Sequence, residues 1–145
     1  MKITIENIPE GSEPEIIIRW NEPDDSLLQL IYSIKSASKK LIGILDSKLH
    51  IINPKEVYYF ESVDNKVFIY LQEKVFESRL KLYEIEAEYD NWDFFRASKS
   101  VILNITRIES IRPVFDGRLE ALLQNGEKVY ISRQYVPKLK SKLGV

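Results

Sequence analysis

Residues 94–104, Phe94-Phe95-Arg96-Ala97-Ser98-Lys99-Ser100-Val101-Ile102-Leu103-Asn104, set two short apolar strand pieces around a polar corner that carries a cation and hydroxyls. Further on, a strand ends at Ile131 and gives way to Ser132-Arg133-Gln134, a second polar corner that opens a helix. Guanidinium, ammonium and hydroxyl groups donate hydrogen bonds to phosphate oxygens and to base edges. Two such corners on a stiff β scaffold are a way of offering side chains to a nucleic-acid groove. The chemistry is that of binding rather than bond making.

Enzymatic chemistry finds little to work with. His50 is the single histidine and stands in an apolar strand bounded by Asn53-Pro54, where a satisfied or exposed strand histidine is expected rather than a general base. With no cysteine and one histidine, a transition-metal site would need an all-carboxylate set, and no disulfide framework exists. The five glycines stand singly, mostly in turns, so no Gly-rich phosphate loop is present. Glu84, Glu86 and Glu88 read as the solvated face of a helix. No cofactor and no catalytic set is expected.

Charge distribution points the same way as the corners. The net charge is only −1, yet residues 1–93 carry eleven Lys and Arg against eighteen Asp and Glu, a net of −7. Residues 94–145 carry ten against four, a net of +6. A basic face on the C-terminal third is the expected consequence. An apolar share of 44% with 30% charged residues gives enough material for a proper core. No apolar run approaches the length of a membrane span, and Met1-Lys2-Ile3-Thr4-Ile5 is no signal peptide, so a cytoplasmic location is expected.

The elements that must hold the corners follow from patterning. Lys2–Ile5 and Glu15–Trp20 read as strands around the breaker Pro9-Glu10-Gly11. Asp24-Asp25-Ser26 can cap a helix with an apolar stripe of Leu27, Leu30, Ile31 and Ile34. Ser36 to Lys40 reads as a helix end and linker, with a boundary near residues 38–46. Residues 1–40 thus form a small βαβ-like element, too small to fold alone.

Beyond it the chain turns to strands: 41–45, 48–52, 57–63, 67–71 and 75–78, with turns at Asp46-Ser47 and Asp64-Asn65-Lys66. A helix over 79–89 is expected with Leu80, Tyr83 and Ala87 on one face, and Trp92-Asp93 leads into the first polar-corner strand. Strands 108–115, 118–124 and 128–131 follow, joined by Asp116-Gly117 and Asn125-Gly126, which are strong two-residue hairpin signals. Ser132 opens a last helix through Lys142. The fold class is mostly β (α+β), with three short helices.

In order, spacing and residue types, residues 41–144 resemble the LytTR family of DNA-binding domains. The landmarks are Val57-Tyr58-Tyr59-Phe60-Glu61-Ser62 and the turn 63–66, then the helix with Leu82 and Ile85. Phe94-Phe95-Arg96 with Ser100 and Asn104 follows, then Arg107-Ile108-Glu109-Ser110-Ile111. The Asn125-Gly126 hairpin and Val129-Tyr130-Ile131-Ser132-Arg133-Gln134-Tyr135 complete the set. Each piece is weak alone; the ordered set is specific.

The resemblance implies an antiparallel β body over 41–145 that places Asn65, Lys66, Lys99, Ser100, Ser132 and Arg133 against double-stranded DNA, on loops entering successive major grooves. Arg133 would then fork onto guanine O6 and N7, and Lys99 would meet phosphate or a guanine edge. Ser100 and Ser132 would donate to phosphate, unless Ser132 spends its oxygen on capping the helix. Ala97-Ser98 departs from the family pattern, in which many members carry histidine or another donor. Arg96, inside the strand run, is expected in a structural ion pair, and Asn104 as the cap of the turn before Ile108. Lys138, Lys140 and Lys142 spread around the last helix and suit distant phosphate steering or solubility.

The function so implied is a sequence-specific transcriptional regulator, a homodimer on direct repeats. Residues 1–40 would serve dimerisation or partner binding where other members carry a receiver domain. Some stand-alone members are paired with a small membrane protein that restrains them. The alternative is a non-catalytic β-rich interaction module whose basic third engages an acidic partner. RNA binding is a weaker third reading, because Tyr58, Tyr59, Phe60 and Phe68 fit a core as readily as a stacking platform.

Overall fold

The structure, a computed structural model, describes residues 2–37, 40–90 and 93–145. Trp92 and part of the 38–46 boundary lie outside the described residues. Asp24 accepts a hydrogen bond from the Leu27 backbone N–H at 2.9 Å and opens helix α1, Asp25–Ala37. Its stripe of Leu27, Leu30, Ile31 and Ile34 is half-buried, as the 3.6-residue period requires. The expected strands at 2–5 and 15–20 do not form. Residues 2–24 hold no strand, so α1 is the one regular element before the β body.

Strands β1 (Leu41–Leu45) and β2 (Lys48–Ile52) pair across Asp46-Ser47, both at positive φ. Asn53 then accepts from the Lys55 N–H and caps a 3₁₀ turn at Pro54–Glu56, so the next strand begins at Tyr59 rather than Val57. β3 (Tyr59–Val63), β4 (Lys66–Tyr70) and β5 (Val75–Ser78) form a meander. Helix α2 (Leu82–Glu88) precedes β6 (Phe94–Arg96) and β7 (Val101–Asn104). All pairings are antiparallel, and the seven strands run in the order β2-β1-β5-β4-β3-β7-β6.

Three further strands, β8 (Ile108–Pro113), β9 (Leu119–Leu123) and β10 (Lys128–Ile131), make a second antiparallel sheet. A 3₁₀ turn at Arg133–Tyr135 leads into helix α3, Val136–Leu143. Among the described residues no helix is long and apolar enough to cross a membrane.

Strand alternation sends neighbouring side chains to opposite faces, and β7 uses both. Ile102 joins one core with Phe60, Ile69, Phe94 and the α2 residues Leu82, Ile85 and Tyr89. Val101 and Leu103 join the other, with Phe95, Ala97, Ala121, Leu123, Ile131 and Leu139. The large sheet is thus covered by α2 on one face and by the second sheet with α3 on the other. Being buried on both faces, β7 is held in register from two sides, and it leads directly out of the polar corner that follows β6.

The buried face of α2 differs from the sequence expectation. Leu82 and Ile85 point inward and Tyr83 is largely exposed. The helix starts three residues later than its apolar pattern suggests, with Lys81 extended at the N-cap and its N–H donating to the Glu84 carboxylate at 3.1 Å. Burial against this core pushes the Tyr89 phenol up to about 12, with Glu88 adding to the shift.

Candidate nucleic-acid interface

Three polar corners meet at one end of the large sheet. The first is the β3–β4 hairpin turn, in which Asp64 (φ 51°) and Asn65 (φ 63°) are both left-handed, the geometry of a tight two-residue hairpin. It leaves Asn65 and Lys66 exposed. The second is the β6–β7 corner, closed by backbone bonds from Ala97 N–H (2.9 Å) and Ser98 N–H (3.3 Å) to the Val101 carbonyl. The third follows β10, where Tyr135 N–H donates to the Ser132 carbonyl at 2.9 Å.

Main-chain hydrogen bonds join the three. The Ser62 N–H, at the end of β3, donates to the Ser100 carbonyl at 2.8 Å and fixes the hairpin beside the second corner. The Ser132 N–H donates to the Ala97 carbonyl at 2.8 Å and fixes the third corner to the second. Between the latter two lies an open cleft lined by Ser98, Lys99, Ser100, Ser132, Arg133 and Gln134. Four of the six sequence-nominated residues therefore line one cleft, and Asn65 and Lys66 stand on the adjoining turn.

Arg96 supplies the internal brace of this arrangement. Its guanidinium forms an ion pair with Glu86 Oε2 at 2.8 Å and donates to the carbonyls of Ser98 (2.8 Å) and Lys99 (2.6 Å). The structural ion pair expected from its place in the strand is present. The two carbonyl bonds, which sequence reasoning missed, hold the loop's backbone inward and leave the Lys99 side chain outside. Asn104 closes the other end of β7. It accepts from Thr106 N–H at 3.0 Å, the expected cap, and donates from Nδ2 to the buried Val57 carbonyl at 2.7 Å.

Ser132 occupies the N-cap position of its 3₁₀ turn without a side-chain capping bond, so its hydroxyl is not spent there. Ser100 stays close to Ser98, whose Oγ accepts from the Ser100 N–H at 3.3 Å. Arg133 is exposed, and its aliphatic stem lies over Gly117 in the β8–β9 turn.

Most cations of the basic third are used internally. Arg107 donates to the Lys55 carbonyl and covers the Tyr58 ring. Arg112 forks onto Glu120 at 3.0 and 3.1 Å, with Lys128 at 3.9 Å. Arg118 lies over the Tyr130 ring. Hydrogen bonding from Arg112, with smaller help from Tyr130 and Lys128, holds the Glu120 carboxyl below the usual range against the opposing effect of burial.

Lys138 pairs with Asp90 at 3.6 Å and Lys142 donates to the Asp90 carbonyl at 3.3 Å, so these two fasten α3 to the end of α2 instead of lying free for steering. Desolvation lowers the Lys142 ammonium below its ordinary value. Within residues 94–145 this leaves Lys99, Arg133 and Lys140 without a carboxylate, hydrogen-bond or ring partner among the described residues, and Lys66 on the hairpin shares that condition. Two of the three unspent cations of the basic third stand in the cleft. Cations with no internal partner are available to an external anion.

A two-sheet β body with an unneutralised basic corner at one end is suited to meeting a polyanion such as nucleic acid. The LytTr DNA-binding domain model matches residues 47–144, and the chain belongs to that family. A Staphylococcus aureus protein described as an uncharacterised HTH-type transcriptional regulator is 28% identical over the whole of this chain and 99% of its own length. The sensory transduction protein LytT of Enterococcus faecalis is 31% identical over 69% of this chain; the match spans 41% of that longer protein. The LytTr DNA-binding domain of a putative methyl-accepting/DNA response regulator from Bacillus cereus shares the fold. It has a TM-score of 0.70 and 23% identity, covering 74% of this chain and 99% of that one.

Proposed function

We propose that this chain is a sequence-specific transcriptional regulator that sets its three joined corners against duplex DNA, with loops in the major groove. The observation that carries the reading is the set of unspent cations Lys66, Lys99 and Arg133 on corners tied to one another by two main-chain hydrogen bonds. A fixed spacing between donors is what base readout demands, because each must meet its edge without rearrangement. Arg133 forks onto guanine O6 and N7, while Lys99 takes phosphate or a guanine edge. Ser100 and Ser132 donate to phosphate, and Asn65 and Lys66 reach the groove from the hairpin.

The same reading gives a homodimer on direct repeats about one helical turn apart. Residues 1–40 are its dimerisation or partner-binding element, supported by the exposed Ile3, Ile5, Ile16 and Ile17 ahead of α1. A small membrane protein that restrains the regulator is the further partner, testable by co-purification from membranes of cells producing both.

Selection of bound duplexes from a random pool at near-physiological salt tests the reading. An enriched repeated motif, lost in the Arg133→Ala/Lys99→Ala double variant, is the expected result. Equal retention of all duplexes by both proteins would overturn it and direct attention to an acidic protein partner of the basic third.

A further inference from the structure

Arg133 is exposed, but its stem does not stand free. An ideal Cβ built on Gly117 would lie 3.0 Å from Arg133 Cδ and 3.4 Å from Cγ, closer than nearly all real Cβ contacts. The turn beneath is stiff. Asp116 (φ 72°, ψ 18°) and Gly117 (φ 75°) are consecutive left-handed residues, and the Val114 N–H donates to the Arg118 carbonyl at 3.0 Å across the turn. The chain sequence separates Gly117 from Arg133, so only the return of β9 and β10 brings them together.

We infer that Gly117 is a positioning residue for DNA readout: the β8–β9 turn is a platform on which the Arg133 stem rests, and the missing side chain at 117 sets where the guanidinium points. The inference rests on the reading of Arg133 as a base-contacting residue. Arginine has many rotamers, and fixing them on binding costs conformational entropy. A stem already laid on a rigid turn has lost part of that freedom before DNA arrives, which favours the bound geometry. Any Cβ at 117 must lift the stem, because the far end of a flexible side chain yields before a stiff backbone does. The guanidinium keeps its charge, while the stem beneath it gives by a few tenths of an ångström and its aim at a guanine edge shifts.

Gly126 provides a matched control. It is left-handed as well (φ 88°), lies in the β9–β10 turn of the same sheet, and a Cβ there meets nothing within 4 Å. Alanine at either glycine carries a similar backbone penalty, and only at 117 does it disturb Arg133. Gly117→Asn adds a Cβ with little backbone strain, since Asn tolerates left-handed φ, and it serves if Gly117→Ala folds poorly.

The test uses the full chain and measures affinity for the selected duplex, for single-base variants at each position, and for unrelated duplex. Gly117→Ala and Gly117→Asn are expected to lose about tenfold of the preference at the one base pair that Arg133→Ala also relaxes, while affinity for unrelated duplex is retained. Gly126→Ala is expected to change that preference less than about twofold. Added to Arg133→Ala, Gly117→Ala should bring no further loss. If Arg133→Ala relaxes one position and the Gly117 variants behave like Gly126→Ala, the platform role is wrong and the DNA reading stands. If Arg133→Ala leaves every preference unchanged, the base-contact role of Arg133 and the platform role fall together while sequence-specific binding stands; equal retention of all duplexes would overturn the DNA reading itself.

Discussion

Lys2-Ile3-Thr4-Ile5 and Lys66-Val67-Phe68-Ile69 share a pattern, a lysine with β-branched apolar residues one and three positions on, and they end in opposite states. In β4, Val67 is 3% and Ile69 0% exposed; near the N-terminus, Ile3 is 78% and Ile5 89% exposed. The difference lies in what each segment finds beside it. β4 leaves a left-handed Asp64-Asn65 turn already paired to β3 and then receives β5 on its other side. Residues 2–5 run into Pro9-Glu10-Gly11 and gain no strand partner among the described residues. Alternation states that a segment can bury one face; it becomes a strand only when cross-strand pairs are supplied.

That contrast can be broken or sharpened by substitution. Phe60→Ala, in the middle of the α2-facing core, is expected to destabilise the fold by about 3–5 kcal/mol in urea unfolding. A loss under 1 kcal/mol there would mean that the body is no better packed than the N-terminal segment. Asn104→Ala should cost roughly 1–3 kcal/mol, because the buried Val57 carbonyl loses its Nδ2 donor and the Thr106 N–H loses its cap.

Glu120 gives a smaller effect with a defined pH sense. Its carboxyl is held below the usual range in the folded state, so its contribution is complete above the unfolded carboxylate's pKa. The contribution is lost as pH falls through the lower folded value. Glu120→Gln should therefore flatten part of the acid limb of a stability–pH curve, and an unchanged limb would show that the Arg112 fork contributes nothing.

At the small end, Ile5→Ser should change stability by no more than about 0.5 kcal/mol in dilute protein. A melting temperature that rises with protein concentration, and stops doing so in Ile5→Ser, would show that the segment's missing neighbour is a second copy.

Much of the β body was legible because its signals are local. Turn residues at 46–47 and 64–65, the Asp24 cap and the α1 stripe each need only a few neighbouring positions to be read. The α2 face was misread for want of length, since seven residues span too few turns for a period to declare its origin. The corner residues Lys99, Ser100, Ser132 and Arg133 are nominated by type, order and the family resemblance, and the structure gathers them at one cleft. The partners of Arg96 in its own loop, of Lys138 and Lys142 at Asp90, and of Arg133 at Gly117 were not legible. Those contacts depend on where the chain returns after long excursions, which no window of sequence contains.

The bonds that join the three corners run between backbone atoms, from Ser62 to Ser100 and from Ser132 to Ala97. Any amino acid other than proline offers the same N–H, and every one offers the same carbonyl. Exchanging Lys66, Lys99 or Arg133 for other residues therefore leaves the frame standing while altering what it presents, whereas Asn65 at φ 63° admits few replacements. Under the proposed reading, a lineage carrying this scaffold drifts from one target to another by point changes at Lys66, Lys99 or Arg133, with little effect on folding.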